Sequence, residues 1–234
     1  MILSRNFTNV FNWILDHIFP PFIRDSRILM SPLFFLLFGK KYKRFMDFKN
    51  NVLSLDEDGV IGYYKELSSY HIKRETDLNK QSISYILNNI QGNSVLDISC
   101  GTGYLAKKIT KKHHAKVVGI DFIISDNIKN EAHPKFIEAS IENIPFPDNY
   151  FDTVISTHTL EHVVNIKKAI YELRRVCKGK LIIVLPKQRN YRYTFDLHIH
   201  FFPYNYSVLS VMGNKGTCFC LKNDWIYEED IINP

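Results

Sequence analysis

Two glycines and two carboxylates carry the clearest chemical signal in the sequence. Gly101 and Gly103 follow a short apolar run at residues 95–98, which contains Asp97, and Asp121 ends the next apolar run. A glycine turn between a strand and a helix presents backbone N–H groups and a helix N-terminus to a ligand. Glycine suits the turn because its φ angles are unusual and because a Cβ would keep the ligand away from the backbone. The pattern therefore predicts a ligand site at this turn.

Two classes of ligand use such a turn, and the local pattern fits both. The spacing Gly101-x-Gly103-x-x-Ala106, with Asp121 downstream, is typical of dinucleotide sites. The same residues fit an S-adenosylmethionine site, which adds an acid at the end of the first strand. Asp97 is that acid. A carboxylate would lie badly beside a pyrophosphate and suits a ligand with a positive ammonium group, so it favours S-adenosylmethionine over a nicotinamide cofactor.

The amino-acid composition limits the number of domains and the kinds of partner that we expect. The chain has 234 residues, 45% of them hydrophobic, which suits one core-bearing domain with an appendage rather than two full domains. The net charge of +6 comes mostly from dispersed residues, so we expect a solvated surface and neither DNA nor RNA as a partner. Four cysteines without disulfide or metal spacing, and an N-terminus without the features of a signal peptide, favour a cytoplasmic protein.

Strands alternate with helices through the middle of the chain, as judged from apolar runs and from apolar residues at helical spacing. Such alternation indicates a parallel, doubly wound sheet whose ligands bind at the carboxyl ends of the strands. Two short C-terminal runs are expected to form an antiparallel hairpin at its edge. The predicted fold is α/β, with a Rossmann-like seven-stranded sheet. Its strands are predicted at residues 95–98, 116–121, 135–139, 153–157, 180–185, 217–221 and 225–228, with helices at 75–90 and 165–177.

The first 75 residues lie outside this alternation, so we predict two domains, residues 1–75 and 76–234. Aromatic residues at helical spacing predict a helix before Pro20. Residues 28–38 are strongly apolar but too short to span a membrane, and they are followed by a basic cluster, Lys40, Lys41, Lys43 and Arg44. We favour a helical cap packed over the catalytic domain, and peripheral contact with an anionic membrane surface is the alternative.

Several segments occur in order along the chain: Val-Leu-Asp97-Ile-Ser-Cys-Gly101-Thr-Gly103, Val-Gly-Ile-Asp121, Ile-Glu142-Asn-Ile-Pro145-Phe-Pro-Asp148-Asn-Tyr-Phe-Asp152 and His158-Thr-Leu-Glu161-His162-Val. With them the chain resembles the class I S-adenosylmethionine-dependent methyltransferases, in the small-molecule, type 11-like branch that includes the ubiquinone-pathway O-methyltransferases. The resemblance covers residues 76–230. The N-terminal third, around residues 24–27, resembles methyltransferases of bacterial surface-polysaccharide clusters.

The resemblance implies S-adenosylmethionine as the cofactor and assigns residues to it. The glycine turn would hold its methionine end, and Asp121 would accept hydrogen bonds from both ribose hydroxyls. Phe122 would pack on the adenine. Ser140 stands where the family commonly has an acid, and Ser99 replaces a common glycine. The implied cofactor-binding residues are Asp97, Ser99, Cys100, Gly101, Gly103, Asp121, Phe122, Ser140, Ile141, Thr157 and His158.

Methyl transfer needs a positioned acceptor that loses its proton, so a base with a pKa near neutral is useful. Histidine meets that need. His158 comes directly after the fourth predicted strand, where it could reach the acceptor, and the catalytic candidates are His158, His198 and His200. A helix-capping or core histidine is the alternative interpretation of His158.

A metal site is an alternative that we do not favour. His158, Glu161 and His162 would lie near one helical face, and His198 follows the fifth predicted strand. Some relatives bind a divalent ion through a Glu-x-x-Glu-His segment and a later histidine. Here His158 stands for the first glutamate, which favours a softer ion than Mg²⁺ if any ion binds.

Residues 187–206 follow the fifth predicted strand and interleave aromatic residues with Lys187, Arg189 and Arg192. Aromatic faces stack on sugars and basic groups hold phosphates. We therefore predict O-methylation of a sugar, sugar phosphate or nucleotide-linked precursor in bacterial surface-glycan or capsule polysaccharide biosynthesis. The alternatives are methylation of a quinone or lipid precursor at the membrane, and a non-catalytic subunit that binds S-adenosylmethionine. For residues 187–206, the alternative is a lid whose aromatics pack on the N-terminal segment.

Overall fold

The computed structural model describes residues 13–15, 18–68, 75–193 and 195–231. The chain divides into two compact units. The helical unit comprises residues 1–74 and 189–199, and the sheet unit comprises residues 75–188 and 200–234. The helical unit is therefore discontinuous in sequence, because the chain leaves the sheet unit after residue 188 and returns to it at residue 200.

The helical unit is built from short helices. Pro20 and Pro21 end the preceding segment, and Pro21 begins the first helix, where its fixed φ is favourable. The helix predicted before Pro20 lies largely outside the described residues, although residues 13–15 are helical. The helices are α1 (Pro21–Arg24), α2 (Arg27–Phe38), α3 (Tyr42–Met46), α4 (Phe48–Val52) and α5 (Glu57–Ser68), with a 3₁₀ turn at Gly39–Lys41.

A seven-stranded sheet forms the centre of the sheet unit. Its strands are β1 (Ser94–Ile98), β2 (Lys116–Asp121), β3 (Lys135–Glu138), β4 (Phe151–Thr157), β5 (Cys177–Pro186), β6 (Thr217–Leu221) and β7 (Asp224–Asp230). The spatial order is β3-β2-β1-β4-β5-β7-β6. The first five strands are parallel, while β7 is antiparallel to both β5 and β6. This arrangement confirms the predicted fold class.

Helices of the sheet unit connect the strands. Asn79 caps the first of them, because its Oδ1 accepts hydrogen bonds from the backbone N–H groups of Gln81 and Ser82 at 2.9 and 3.0 Å. The helices are α6 (Lys80–Asn88), α7 (Tyr104–His113), α8 (Asp126–Lys129), α9 (Ile166–Val176) and α10 (Asn205–Met212). Among the described residues, no helix has the length and apolarity that crossing a bilayer requires.

Burial of the central strands explains why their sequences are continuous apolar runs. Leu96 of β1 and Val154 and Ile155 of β4 are fully buried. Parallel strands covered by helices on both faces carry this pattern, whereas half-exposed strands alternate. The strand order places the ends of β1, β2 and β4 next to one another, and ligands of such sheets bind at that edge.

The antiparallel β7 brings a residue from the far end of the chain to the same edge. Asp224, its first residue, pairs with Pro186, the last residue of β5. Because β7 runs opposite to β5, its beginning lies where the parallel strands end. Asp224 therefore joins the carboxyl edge of the sheet, although it comes long after the cofactor segments in the sequence.

Some elements differ from the prediction in extent. α6 begins at Lys80 and not at residue 75, since Asn79 is its N-cap. β5 starts at Cys177, directly after α9, and includes Lys178, where the sequence indicates a helix end. The sequence predicts no helix at the position of α10.

Candidate active site

The glycine turn between β1 and α7 uses left-handed backbone conformations. Gly101 has φ +53° and Gly103 has φ +74°. A Cβ on Gly103 would lie 2.5 Å from Cζ of Phe136, whereas a Cβ on Gly101 would meet nothing within 4 Å. Gly103 is thus required by packing, while the space beside Gly101 is open to a ligand. Ser99 also has φ +58°, which explains why a glycine would suit its position.

Asp97 is the most unusual group at the turn. Its side chain is 1% exposed, and no described residue donates a hydrogen bond to its Oδ2. Burial is the main cause that raises the pKa of Asp97 to about 7; the backbone N–H of Ala106 opposes this shift, and the charge of Asp121 adds to it. A buried carboxyl group with an unused oxygen suits a ligand that carries a positive amino group.

Asp121 closes β2 and contacts the turn directly. Its Oδ2 accepts a hydrogen bond from the backbone N–H of Gly101 at 2.9 Å, and its Oδ1 accepts one from Ile123 at 3.3 Å. Burial raises the pKa of Asp121, although these backbone donors oppose the shift. The side chain of the next residue, Phe122, is 39% exposed. The ribose and adenine contacts assigned to these two residues stay predictions.

The other cofactor candidates lie at the ends of the same strands or in the loops after them. Cys100 is buried, and burial raises the pKa of its thiol. Ser140 follows β3 and its Oγ accepts a hydrogen bond from the N–H of Glu142 at 3.1 Å, while Ile141 packs against the core. Thr157 ends β4. The fold thus brings the predicted residues of the sheet unit to one edge, but their contacts with a cofactor remain predictions.

His158 lies between two buried carboxylates. Its Nδ1 is 3.5 Å from Oε1 of Glu161, and its Nε2 is 3.4 Å from Oδ1 of Asp224. At these distances the contacts are ion pairs and not hydrogen bonds. Among the described residues, neither Nε2 of His158 nor the carboxylate oxygens of Glu161 have a hydrogen-bond partner. Burial alone would lower the pKa of His158, but the two carboxylates outweigh it and raise the pKa to about 9.

Asp224 is a site residue that the sequence does not reveal. Its Oδ2 accepts hydrogen bonds from Nδ2 of Asn79 at 2.7 Å and from Oγ of Ser82 at 2.8 Å. Burial would raise the pKa of Asp224, but these contacts and His158 lower it below its usual value. No local pattern marks this residue, because its partners come from the start of α6 and the end of β4.

The environment of His158 bears on its predicted role as the base. The two carboxylates favour the protonated imidazole, which has no lone pair to accept a proton, so His158 would first have to lose its proton; its role as the base stays a prediction. His200 is also engaged, since its Nε2 lies 2.9 Å from the carbonyl oxygen of Val163. His198 is buried and belongs to the helical unit. Proton acceptance by His198 or His200 stays a prediction.

The geometry assumed for a metal site needs one correction. Glu161 and His162 were expected near one helical face with His158, but Leu160–His162 is a single 3₁₀ turn and His158 lies outside it. A 3₁₀ turn has three residues per turn, so the helical spacing used in the prediction does not apply. The proposed set, which also includes His198, stays a low-ranking prediction.

Part of the segment 187–206 does not supply the free aromatic faces expected from its composition, although Tyr204 and Tyr206 near its end are exposed. Residues 189–199 belong to the helical unit, and there Phe195 stacks on Phe34 with ring centroids 4.4 Å apart. Tyr193 is 6% exposed and meets the edge of Phe34. Arg192 donates a hydrogen bond to the carbonyl oxygen of Asp25 at 3.3 Å. These aromatics pack against N-terminal helices. This agrees with the alternative interpretation, in which the aromatics of the segment pack on the N-terminal segment.

Comparison with known proteins decides between the two ligand classes. Residues 96–185 match the model of a family described as a methyltransferase domain. Residues 96–185 of the chain are thus similar to a methyltransferase domain, as the motifs in the sequence predict. The cofactor of such domains is S-adenosylmethionine, and the unused Oδ2 of buried Asp97 fits its positive amino group.

Named relatives include quinone methyltransferases. A 2-phytyl-1,4-naphthoquinone methyltransferase of Trichormus variabilis is 33% identical over 98 residues, which cover 37% of this chain and 43% of the relative. The ubiquinone/menaquinone biosynthesis C-methyltransferase UbiE of Stutzerimonas stutzeri is 29% identical over 144 residues, or 54% of this chain and 53% of the relative. The chain thus spans about half the length of the curated relatives that it matches.

Solved structures support the fold. An S-adenosylmethionine-dependent methyltransferase from Aquifex aeolicus matches with a TM-score of 0.52 and 16% identity, covering 76% of this chain and 100% of that one. A protein from Pyrococcus horikoshii matches with a TM-score of 0.53 and 18% identity, covering 73% and 98%. At these identities the similarity concerns the fold and not the substrate.

Proposed function

We propose that the chain is an S-adenosylmethionine-dependent methyltransferase with a small-molecule acceptor. The observation that carries the proposal is the buried carboxyl group of Asp97, whose Oδ2 has no donor among the described residues, beside the open face of Gly101. When bound there, S-adenosylmethionine supplies an electrophilic methyl carbon. The chain's own residues would hold the amino group, orient the acceptor in line with that carbon and exclude water.

For the acceptor, we infer a neutral aromatic hydroxyl compound of the quinol type. One named relative is a 2-phytyl-1,4-naphthoquinone methyltransferase and another is a C-methyltransferase of ubiquinone/menaquinone biosynthesis. A quinone ring becomes nucleophilic only in its reduced form. Charge supports the inference, since the buried groups that the described residues place at the carboxyl edge include the carboxyls of Asp97, Glu161 and Asp224 and the imidazole of His158. An excess of buried carboxyls disfavours a phosphorylated acceptor close to them.

The sugar phosphate predicted from the sequence has lost part of its support. That prediction depended on free aromatic faces in residues 187–206, and Tyr193 and Phe195 are packed on Phe34. O-methylation of a surface-glycan precursor therefore ranks below methylation of a quinol, and the two are separable by experiment.

The test combines binding and transfer. Calorimetry should show binding of S-adenosylmethionine and none of NAD, and Asp97→Asn should weaken binding at least tenfold while the exposed Asp126→Asn leaves it unchanged. A radiolabelled methyl group should then pass to reduced 2-phytyl-1,4-naphthoquinone and not to a nucleotide-linked sugar. Preferential binding of NAD, or undiminished binding by Asp97→Asn, overturns the assignment.

Cofactor binding without transfer to either acceptor would favour the non-catalytic subunit. Transfer only to the sugar would restore the glycan assignment. The binding measurement therefore tests the assignment of the cofactor, and the transfer measurement tests the assignment of the acceptor.

A further inference from the structure

Helix α2 carries apolar residues on both of its faces. Met30, Phe34 and Phe38 form the buried face at intervals of four residues. On the opposite face, the side chains are apolar and exposed: Ile28 is 84% exposed, Leu29 53%, Phe35 57% and Leu36 76%. At about 100° per residue these four side chains and Pro32 span roughly a third of the helix circumference. We call them the outer face of α2.

The buried face accounts for the stacked ring contacts of α2 within the helical unit; on the outer face, Phe35 meets the edge of the Tyr42 ring, with centroids 5.7 Å apart. Phe34 stacks on Phe195, and Phe38 stacks on Phe45 with ring centroids 3.7 Å apart. An ordinary surface helix has polar residues opposite its buried stripe, so the outer face needs another explanation. Contiguous exposed apolar surface of this kind marks a site of interaction with a membrane or another protein.

Charge next to the outer face indicates which partner fits. Lys40 and Lys43 follow the C-terminus of α2 and are exposed. Neither belongs to the ion pairs found among the described residues, whereas Arg27 pairs with Asp47 at 2.6 Å and Arg44 pairs with Glu66 at 2.5 Å. Two lysines without acidic partners beside an apolar face are complementary to anionic lipid headgroups.

We propose that the outer face of α2 docks on the surface of an anionic phospholipid bilayer. The helix has 12 residues, or about 18 Å, which is too short to cross the hydrocarbon core and is suited to lying in the interface. Phe22 of α1, 72% exposed, would add to the inserted surface. The proposal concerns the helical unit and does not depend on the identity of the methyl acceptor.

Vesicle co-sedimentation tests the proposal with the whole chain. Wild-type protein should sediment with vesicles of phosphatidylcholine and phosphatidylglycerol. Ile28→Ser/Leu36→Ser should reduce the partition coefficient at least tenfold, because two exposed apolar side chains no longer enter the interface. Leu53→Ser, a change of a side chain that is 60% exposed outside α2, is the matched control and should leave binding unchanged.

A separate experiment tests the contribution of the lysine charges to vesicle binding. Lys40→Glu/Lys43→Glu should weaken binding to anionic vesicles at least fivefold and leave residual binding to pure phosphatidylcholine unchanged. Lys111→Glu, an exposed lysine of α7, is the control. Calorimetric binding of S-adenosylmethionine should persist in every variant, which separates this proposal from the proposed function.

Three results would overturn the proposal. They are no sedimentation of the wild-type chain, equal losses in Leu53→Ser and Ile28→Ser/Leu36→Ser, and a wild-type dimer that Ile28→Ser/Leu36→Ser converts to monomer in sedimentation velocity. The third result would assign the outer face to a second copy of the chain.

Discussion

Oδ1 of Asp224 lies 3.4 Å from Nε2 of His158, and this pair joins the start of β7 to the end of β4. The contact exists because β7 is the antiparallel strand beside β5, so its first residue lies at the edge where the parallel strands end. Asp224 also holds Asn79 and Ser82 at the start of α6. A single carboxylate thus links three elements around the proposed site.

The first prediction concerns the dependence of stability on pH. His158 has a folded pKa of about 9 against an ordinary value of 6.5. The contribution of His158 to the unfolding free energy is therefore fully present below pH 6.5 and is lost as the pH rises through about 9. The shift corresponds to about 3 kcal/mol of unfolding free energy. His158→Asn should remove the loss of unfolding free energy that occurs between pH 6.5 and pH 9 in the wild-type protein. Urea unfolding at these two pH values measures the loss.

His114→Asn is the matched control for that experiment. Both histidines have left-handed φ angles near +50°, which asparagine tolerates, but His114 is exposed. An unchanged pH dependence in His158→Asn would contradict the assignment of His158 as a buried cation.

The second prediction concerns cofactor affinity. Binding of a positive amino group requires the ionised form of Asp97, whose pKa is about 7 in the free protein. Affinity for S-adenosylmethionine should therefore be level above about pH 7 and fall up to tenfold per pH unit below it, with a proton released on binding. Calorimetry in two buffers of different ionisation enthalpy measures that proton. A pH-independent affinity with no proton release would contradict the prediction.

The third prediction compares the two glycines of the turn. Gly103→Ala should destabilise the fold by about 2 kcal/mol or more, because the left-handed φ is strained and the new Cβ would lie 2.5 Å from the Phe136 ring. Gly101→Ala has the φ strain without the clash and should cost about 1 kcal/mol. Its main effect should be weaker cofactor binding. Urea unfolding and calorimetry on both variants measure these effects, and equal stability losses would refute the comparison.

The fourth prediction is a stabilising substitution. Ser99 has φ +58°, a conformation that glycine adopts without strain, so Ser99→Gly should raise the unfolding free energy by roughly 0.5–1 kcal/mol. Thermal unfolding measures the change. The same substitution at Ser125, whose φ is −69°, should be neutral or destabilising. A loss of stability in Ser99→Gly would show that its side chain has a role in the turn.

The sequence predicts well those features that depend on neighbouring residues. The apolar runs locate the strands, and the turn at Gly101 and Gly103 follows from local spacing. The environment of His158 could not be predicted, because its pKa depends on Asp224, which only the strand order brings near. Phe195 and Phe34 pack together although they are equally far apart in the sequence. When this packing is not known, the aromatic segment at residues 187–206 resembles a ligand-binding surface.

The discontinuity of the helical unit has a consequence for the emerging chain during translation. The N-terminal helices leave the ribosome first, but the ring that stacks on Phe34 belongs to Phe195 and follows only after β5 has been synthesised. Until then the nascent helices lack part of their core. The packing around Phe34 is thus completed late, and a chain truncated at residue 188 would leave Phe34 without its stacking partner Phe195.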